Sequence, residues 1–172
     1  HHRQRLVEAV GAAEEPVIAK KGAKDGDAPV WGVKAYDFLK GKAAPATANP
    51  SLWQNAQLNA EAGVFKVWPT DPQNKKGDIY QVRGYDMANT TFIRSAHGWI
   101  VFDTLMCTEN MQAAYALMKK EVFPDFAVYG NRIVAVLYSH PHVDHFGGIR
   151  GLLPSENDVY QPGTNIRKQD DQ

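Results

Sequence analysis

Cysteine is almost missing from this sequence. Cys107 is the only one, which excludes an internal disulfide and any thiolate-based zinc cluster. An excess of charge is missing too. Lys plus Arg and Asp plus Glu number 19 each, so no field steers the chain towards nucleic acid or an anionic bilayer. No apolar run approaches the roughly 18 residues of a membrane span. The opening His1-His-Arg-Gln-Arg5 is polar and no apolar stretch follows it, so no signal peptide is legible. The compartment therefore stays open. No internal repeat is visible. What remains is 172 residues of ordinary globular composition, enough for one domain that buries roughly 70% of its unfolded surface if it folds alone.

Histidine is concentrated where it counts. The run Ile133-Val-Ala-Val-Leu137 is short, β-branched and bounded by Gly130 and Pro141, which predicts a buried strand. Straight after it come His140, His142, Asp144 and His145. On an extended chain His140, His142 and Asp144 alternate to one side, helped by Pro141, which holds the residue before it extended. His145 then faces another way and can serve a second ion about 3.5–4 Å from the first. Neutral imidazoles with a carboxylate suit zinc, with iron or manganese as alternatives. The plainer reading, loop histidines with surface roles, is a poor fit to so dense a cluster at a strand end. His97, by contrast, lies in the turn Ser95-Ala-His97-Gly98 and reads as a solvent-exposed turn residue.

The rest of the chain supplies the setting. Residues 1–48 read as an N-terminal arm and linker. Within it Arg3 to Ala13 could form a short helix, Lys20 to Asp27 reads as a solvated loop, and Trp31, Val33, Tyr36, Phe38 and Leu39 form an apolar cluster. Residues 49–153 read as a partial domain. Asn49 or Ser51 can cap a helix with Pro50 in its first turn. Val64–Val67 and Ile79–Val82 read as strands, and Thr91–Arg94 with Trp99–Phe102 as a hairpin. Thr108 can cap a helix to about Phe123 whose apolar face is Met111, Ala114, Tyr115, Met118 and Val122, with Cys107 as a small filler near its start. Pro124 stops it. A short helix could follow Gly147-Gly148, and residues 154–172 read as polar loop or disordered tail.

The pattern His140-x-His142-x-Asp144-His145 after a strand resembles the first metal motif of the metallo-β-lactamase superfamily. Several stretches also resemble one branch of it, the alkylsulfatases that hydrolyse linear alkyl sulfate esters. These are Asn49-Pro-Ser-Leu-Trp53, Gly77 to Asp86 with Asn89-x-Thr91, Gly98-Trp-Ile-Val-Phe-Asp103, and His140 to Gly148. Pro141 and the stretch Trp68 to Lys76 depart from that branch's pattern.

The resemblance implies an α/β fold, the N-terminal half of an αββα sandwich. It implies two zinc ions, one held by His140 and His142 and the other by Asp144 and His145. Asp144 would orient a hydroxide bridging the ions, which attacks the ester to give alcohol and sulfate. Asp103 would stand behind the ligands, although a purely structural strand-end carboxylate fits it equally. The resemblance also implies further ligands from well downstream, a homodimer, and an alkyl sulfate as substrate; it admits a periplasmic or secreted setting. The downstream ligands are not among these 172 residues, so this chain carries the first metal motif only. Further sequence or a second polypeptide would supply them. Two other readings stand beside this one: another hydrolase of the superfamily, and a non-catalytic metal- or partner-binding fragment.

Overall fold

A computed structural model describes residues 8–12, 17–23, 26–41, 43–68, 79–126 and 132–154. Its frame is a six-stranded sheet in the order β1-β4-β5-β6-β7-β8. The strands are β1 (Glu8–Ala12), β4 (Gly63–Trp68), β5 (Ile79–Arg83), β6 (Thr90–Arg94), β7 (Trp99–Phe102) and β8 (Ile133–Leu137). Neighbours pair antiparallel up to β7, and β8 joins β7 in parallel. A parallel neighbour needs a long crossover, and α2 (Thr108–Glu121) provides it.

The alternation of side chains decides what is core. Tyr80, Val82, Thr90, Phe92, Trp99 and Val101 point to one face and are buried. The residues between them, such as Gln81, Ile93 and Ile100, are only partly covered. On the buried face α2 lays down Met111, Ala114, Met118 and Val122, as its spacing predicts, with Tyr115 half-buried at the margin. The aromatic rings interlock there: Trp99 stacks on Phe123 at 4.9 Å, and Phe92 meets Phe123 edge-on at 6.2 Å. The architecture is mixed α/β: a six-stranded sheet with α2 on one face, and a separate two-stranded sheet.

Several local expectations hold. Asn49 caps α1 (Pro50–Asn59), its Oδ1 accepting from the backbone N–H groups of Ser51 and Leu52. The β6–β7 hairpin forms with His97 exposed at its tip. The N-cap of α2, however, is Cys107, without a side-chain capping bond, and Thr108 is the first helical residue. A thiol is a poor acceptor, and Glu109 in the first turn supplies the negative charge instead.

The first 48 residues differ most from their reading. Glu8–Ala12 is a strand, not helix, because its backbone pairs with the free edge of β4, Glu8 opposite Lys66. Much of Lys20–Asp27 is paired, in a hairpin of β2 (Val17–Ala23) and β3 (Gly26–Gly32). The apolar cluster is split: Val33 and Leu39 are buried, whereas Tyr36 and Phe38 are exposed, Phe38 meeting Trp53 edge-on at 6.1 Å. Residues 3–7 and 13 of the expected helix, most of the stretch Trp68 to Lys76, and the tail from Ser155 to Gln172 lie outside the described residues.

Trp31 ties the hairpin to the sheet, its indole N–H donating to the carbonyl of Gly84 at 2.8 Å. Trp31→Phe keeps most of the ring and removes that donor. It should lower stability by about 1 kcal/mol, read from the urea midpoint; an unmoved midpoint would show that the bond contributes nothing.

Candidate metal centre

The parallel pairing of β7 with β8 brings the ends of both strands to one edge, Phe102 opposite Leu137. Asp103 follows β7 and Ser139-His140 follows β8, so a carboxylate and the histidine loop meet without long reach. The backbone N–H of Asp103 donates to the Leu137 carbonyl at 2.9 Å, and that of Thr104 to the His145 carbonyl at 2.7 Å. Asp103 and Leu105 hold positive φ angles of 61° and 62°, which turn the chain sharply beneath the loop.

Extended geometry persists to His142 (φ −79°, ψ 144°) and then stops. Residues Val143–Phe146 form a helical turn, α3. It is closed by the His145 N–H on the His142 carbonyl at 3.0 Å and the Gly147 N–H on the Val143 carbonyl at 2.7 Å. The expected alternation through Asp144 therefore does not occur, since Asp144 and His145 ride a helical turn. Nor does His145 face away: its ring centroid lies 4.0 Å from that of His140.

The four residues gather as two pairs. His140 Nε2 lies 3.0 Å from His142 Nδ1, and His145 Nε2 lies 3.3 Å from Asp144 Oδ2. Among the described residues, no three His, Cys, Asp or Glu side chains converge on a single ion position. The donors are imidazole nitrogen and carboxylate oxygen, the chemistry that borderline divalent cations take. The residues fit such a metal two at a time.

Behind the pairs sits Asp103, which is buried. Its Oδ1 accepts the Ser139 N–H at 2.8 Å, while Oδ2 lies 2.8 Å from Ser139 Oγ and 2.7 Å from His145 Nδ1. Burial pushes its pKa up, but the bonds from Ser139 and His145 outweigh burial and hold the carboxyl below its usual range. Asp103 is therefore an anion that only accepts. Ser139, which drew no attention in the sequence, touches Asp103, His140 and His145 at once. Its position directly before the first histidine, beside the end of a parallel strand, is the signal that could have found it.

A second buried carboxylate props the loop. Asp86 accepts from the backbone N–H of Met106 at 2.8 Å, from Asn110 Nδ2 at 2.7 Å and from the N–H of Met87. Cys107 is half-buried, and burial pushes its thiol pKa up, which keeps it protonated and unreactive.

The chain matches the metallo-beta-lactamase superfamily over residues 83–161. It is 46% identical over 132 residues to an (R)-specific secondary-alkylsulfatase of Pseudomonas sp., covering 76% of this chain and 17% of that protein. To a linear primary-alkylsulfatase of Pseudomonas sp. it is 41% identical over 146 residues, 84% of this chain and 19% of the relative. To the alkyl/aryl-sulfatase BDS1 of Saccharomyces cerevisiae it is 40% identical over 151 residues, 86% and 20% of the two chains. Among solved structures it resembles the stereoselective inverting sec-alkylsulfatase Pisa1 from Pseudomonas sp., with a TM-score of 0.59 and 41% identity over 82% of this chain and 20% of that one. A double mutant of the same sulfatase gives a TM-score of 0.64 over 88% of this chain and 21% of that one. The chain thus spans about a fifth of the length of the relatives it matches. With the strand-end histidine motif and half-covered sheet that the structure shows, these matches place the chain in the metallo-β-lactamase superfamily, as a segment of its alkylsulfatase branch.

Proposed function

We propose that this chain carries part of the active site of a zinc-dependent alkylsulfatase, which hydrolyses an alkyl sulfate ester with water to alcohol and sulfate. The observation that carries the reading is the two ligand pairs gathered over one buried carboxylate at the β7–β8 edge. His140 and His142 would hold one ion, and Asp144 and His145 a second. Zinc bound there supplies Lewis acidity and lowers the pKa of water to about 7. Asp103 and Ser139 keep the imidazoles aimed. The exposed side chains of Tyr138, Val143 and Phe146 on the same loop offer apolar surface to an alkyl chain.

Two ligands per ion fall short of the three protein ligands usual for catalytic zinc. The others would come from outside the described residues, for instance from further sequence in a homodimeric protein or from a second polypeptide. The test is sulfate release from primary and secondary alkyl sulfates by the full-length protein carrying this sequence. Release that a chelator abolishes and zinc restores supports the reading. Turnover of neither ester by the zinc-loaded protein, or release indifferent to the chelator, would sink it.

A further inference from the structure

We propose that Asp86, in the turn between β5 and β6, is a positioning residue that seats the Asp144–His145 pair and leaves the His140–His142 pair to other supports. The inference rests on the metal-site reading above and goes beyond it by giving the two pairs separate footings.

The pairs hang from different parts of the fold. His140 and His142 continue from the end of β8, before the helical turn begins. Asp144 and His145 ride α3, which runs on through Gly147 and Gly148 into α4 (Ile149–Leu152). That stretch meets the segment 104–108 backbone to backbone. A Cβ added at Gly147 would overlap the carbonyl oxygen of Met106, one at Gly148 that of Thr104, and one at Gly151 that of Thr108. At these three points no side chain stands between the two segments to absorb a shift. Two bonds fasten them, the Thr104 N–H on the His145 carbonyl at 2.7 Å and the Gly148 N–H on the Leu105 carbonyl at 2.9 Å. If the segment 104–108 moves, Asp144 and His145 move with it.

That segment does not hold its shape unaided. Leu105 has a φ of 62°, a left-handed conformation that is costly for a bulky residue and persists only where its surroundings enforce it. Asp86 supplies the enforcement one residue on. Its Oδ2 accepts the Met106 N–H at 2.8 Å and Asn110 Nδ2, in the first turn of α2, at 2.7 Å. Its Oδ1 accepts the Met87 N–H at 2.6 Å, which fixes the carboxylate to its own turn. Asp86 and Asn110 are both buried, so losing one of these bonds leaves a polar group unsatisfied. Asp103, by contrast, is anchored to β8 through the Leu137 carbonyl and to β6 through Thr90 Oγ on its own carbonyl. A displacement at Met106 therefore need not pass through Asp103 to His140.

A zinc titration read ring by ring tests this, with imidazole 15N shifts from long-range 1H–15N correlation spectra of the purified chain. Asp86→Asn keeps the shape but has one acceptor oxygen, so its NH2 group must face one of the N–H donors. His145 should then need about tenfold more zinc for half-saturation, while His140 and His142 respond as in the unaltered chain. Asn110→Ala frees Asp86 on one side and keeps its bond to Met106. It should weaken the His145 response by a smaller factor, and it carries the test if Asp86→Asn does not fold. Gly41→Ala, a destabilising change in another segment, should leave all three rings unaltered. Equal weakening at the three rings, or an unmoved His145 in both variants, overturns the assignment. If zinc shifts no ring of the unaltered chain, the metal-site reading itself fails, so the two failures are told apart.

Discussion

Gly148→Ala should unfold much of the population, or lower the melting temperature by about 10 °C, although it adds one methyl group. A Cβ at this position would sit 2.1 Å from the carbonyl oxygen of Thr104, 2.7 Å from that of Cys107 and 3.0 Å from the Met111 Cβ. The first two are backbone atoms and cannot turn aside. The Thr104 segment is pinned by its N–H on the His145 carbonyl at 2.7 Å, and Gly148 by its own N–H on the Leu105 carbonyl at 2.9 Å. Relief of the clash must break one of these bonds and lift the loop off α2. A cost of about 3–5 kcal/mol follows, at the upper end for point substitutions, which in a domain of this size corresponds to the stated shift. Gly41→Ala is the control. Its φ of 63° is unfavourable for alanine, but nothing lies within 4 Å of the added methyl, so its cost should stay near ~1 kcal/mol. Calorimetry that finds the two variants equal would mean that the close approach under the metal loop is illusory.

His142→Ala should lower zinc occupancy sharply while leaving the fold standing. His142 is exposed and, among the described residues, its side chain makes its polar contact with His140, so little packing is lost. Removing it leaves His140 as the sole member of its pair, and a divalent ion held by one imidazole is replaced readily by water. Occupancy of that position after gel filtration, measured by elemental analysis, should drop towards zero, with the circular dichroism spectrum unchanged. Unaltered metal content would sink the ligand assignment, whatever the activity of the variant.

How much of this was legible in the residues depended on how local the deciding forces are. The strand Ile133–Leu137 was readable because apolar patterning and the Gly130 and Pro141 boundaries lie within a few positions of one another. The same holds for the β6–β7 hairpin and the Asn49 cap. The strand's expected burial was not met: Val134 and Leu137 are exposed, because β8 is an edge strand among the described residues. The face of α2 was readable because its partners need only be apolar. By contrast β1 is a strand because β4, more than fifty positions away, offers it an edge. The helical turn Val143–Phe146 stayed hidden because four residues carry no periodicity. It is set instead by Gly147, where an added Cβ would lie 2.1 Å from the Met106 carbonyl. Ser139 went unnoticed for a related reason, since only its meeting with Asp103 across a parallel ladder gives it work. Asp103 could be named because it ends a strand, whereas Ser139 could not, because its partners lie on another strand's end.

The parallel joint between β7 and β8 also orders events in time. Strands β5, β6 and β7 are linked by short connections and can zip as successive hairpins. Joining β8 to β7 requires the chain from Asp103 to Arg132 to close around α2, at a loop entropy about 2 kcal/mol above that of a four-residue turn. The β7–β8 edge is therefore assembled late in folding. Until it closes, His140 with His142 and Asp144 with His145 are neighbours only by sequence, as they would be in a peptide, and Asp103 has no serine or histidine to hold. An ion met at that stage encounters loose ligands. The nascent chain and the folded one thus present the same four side chains to solution, and only the folded one presents them as two gathered pairs.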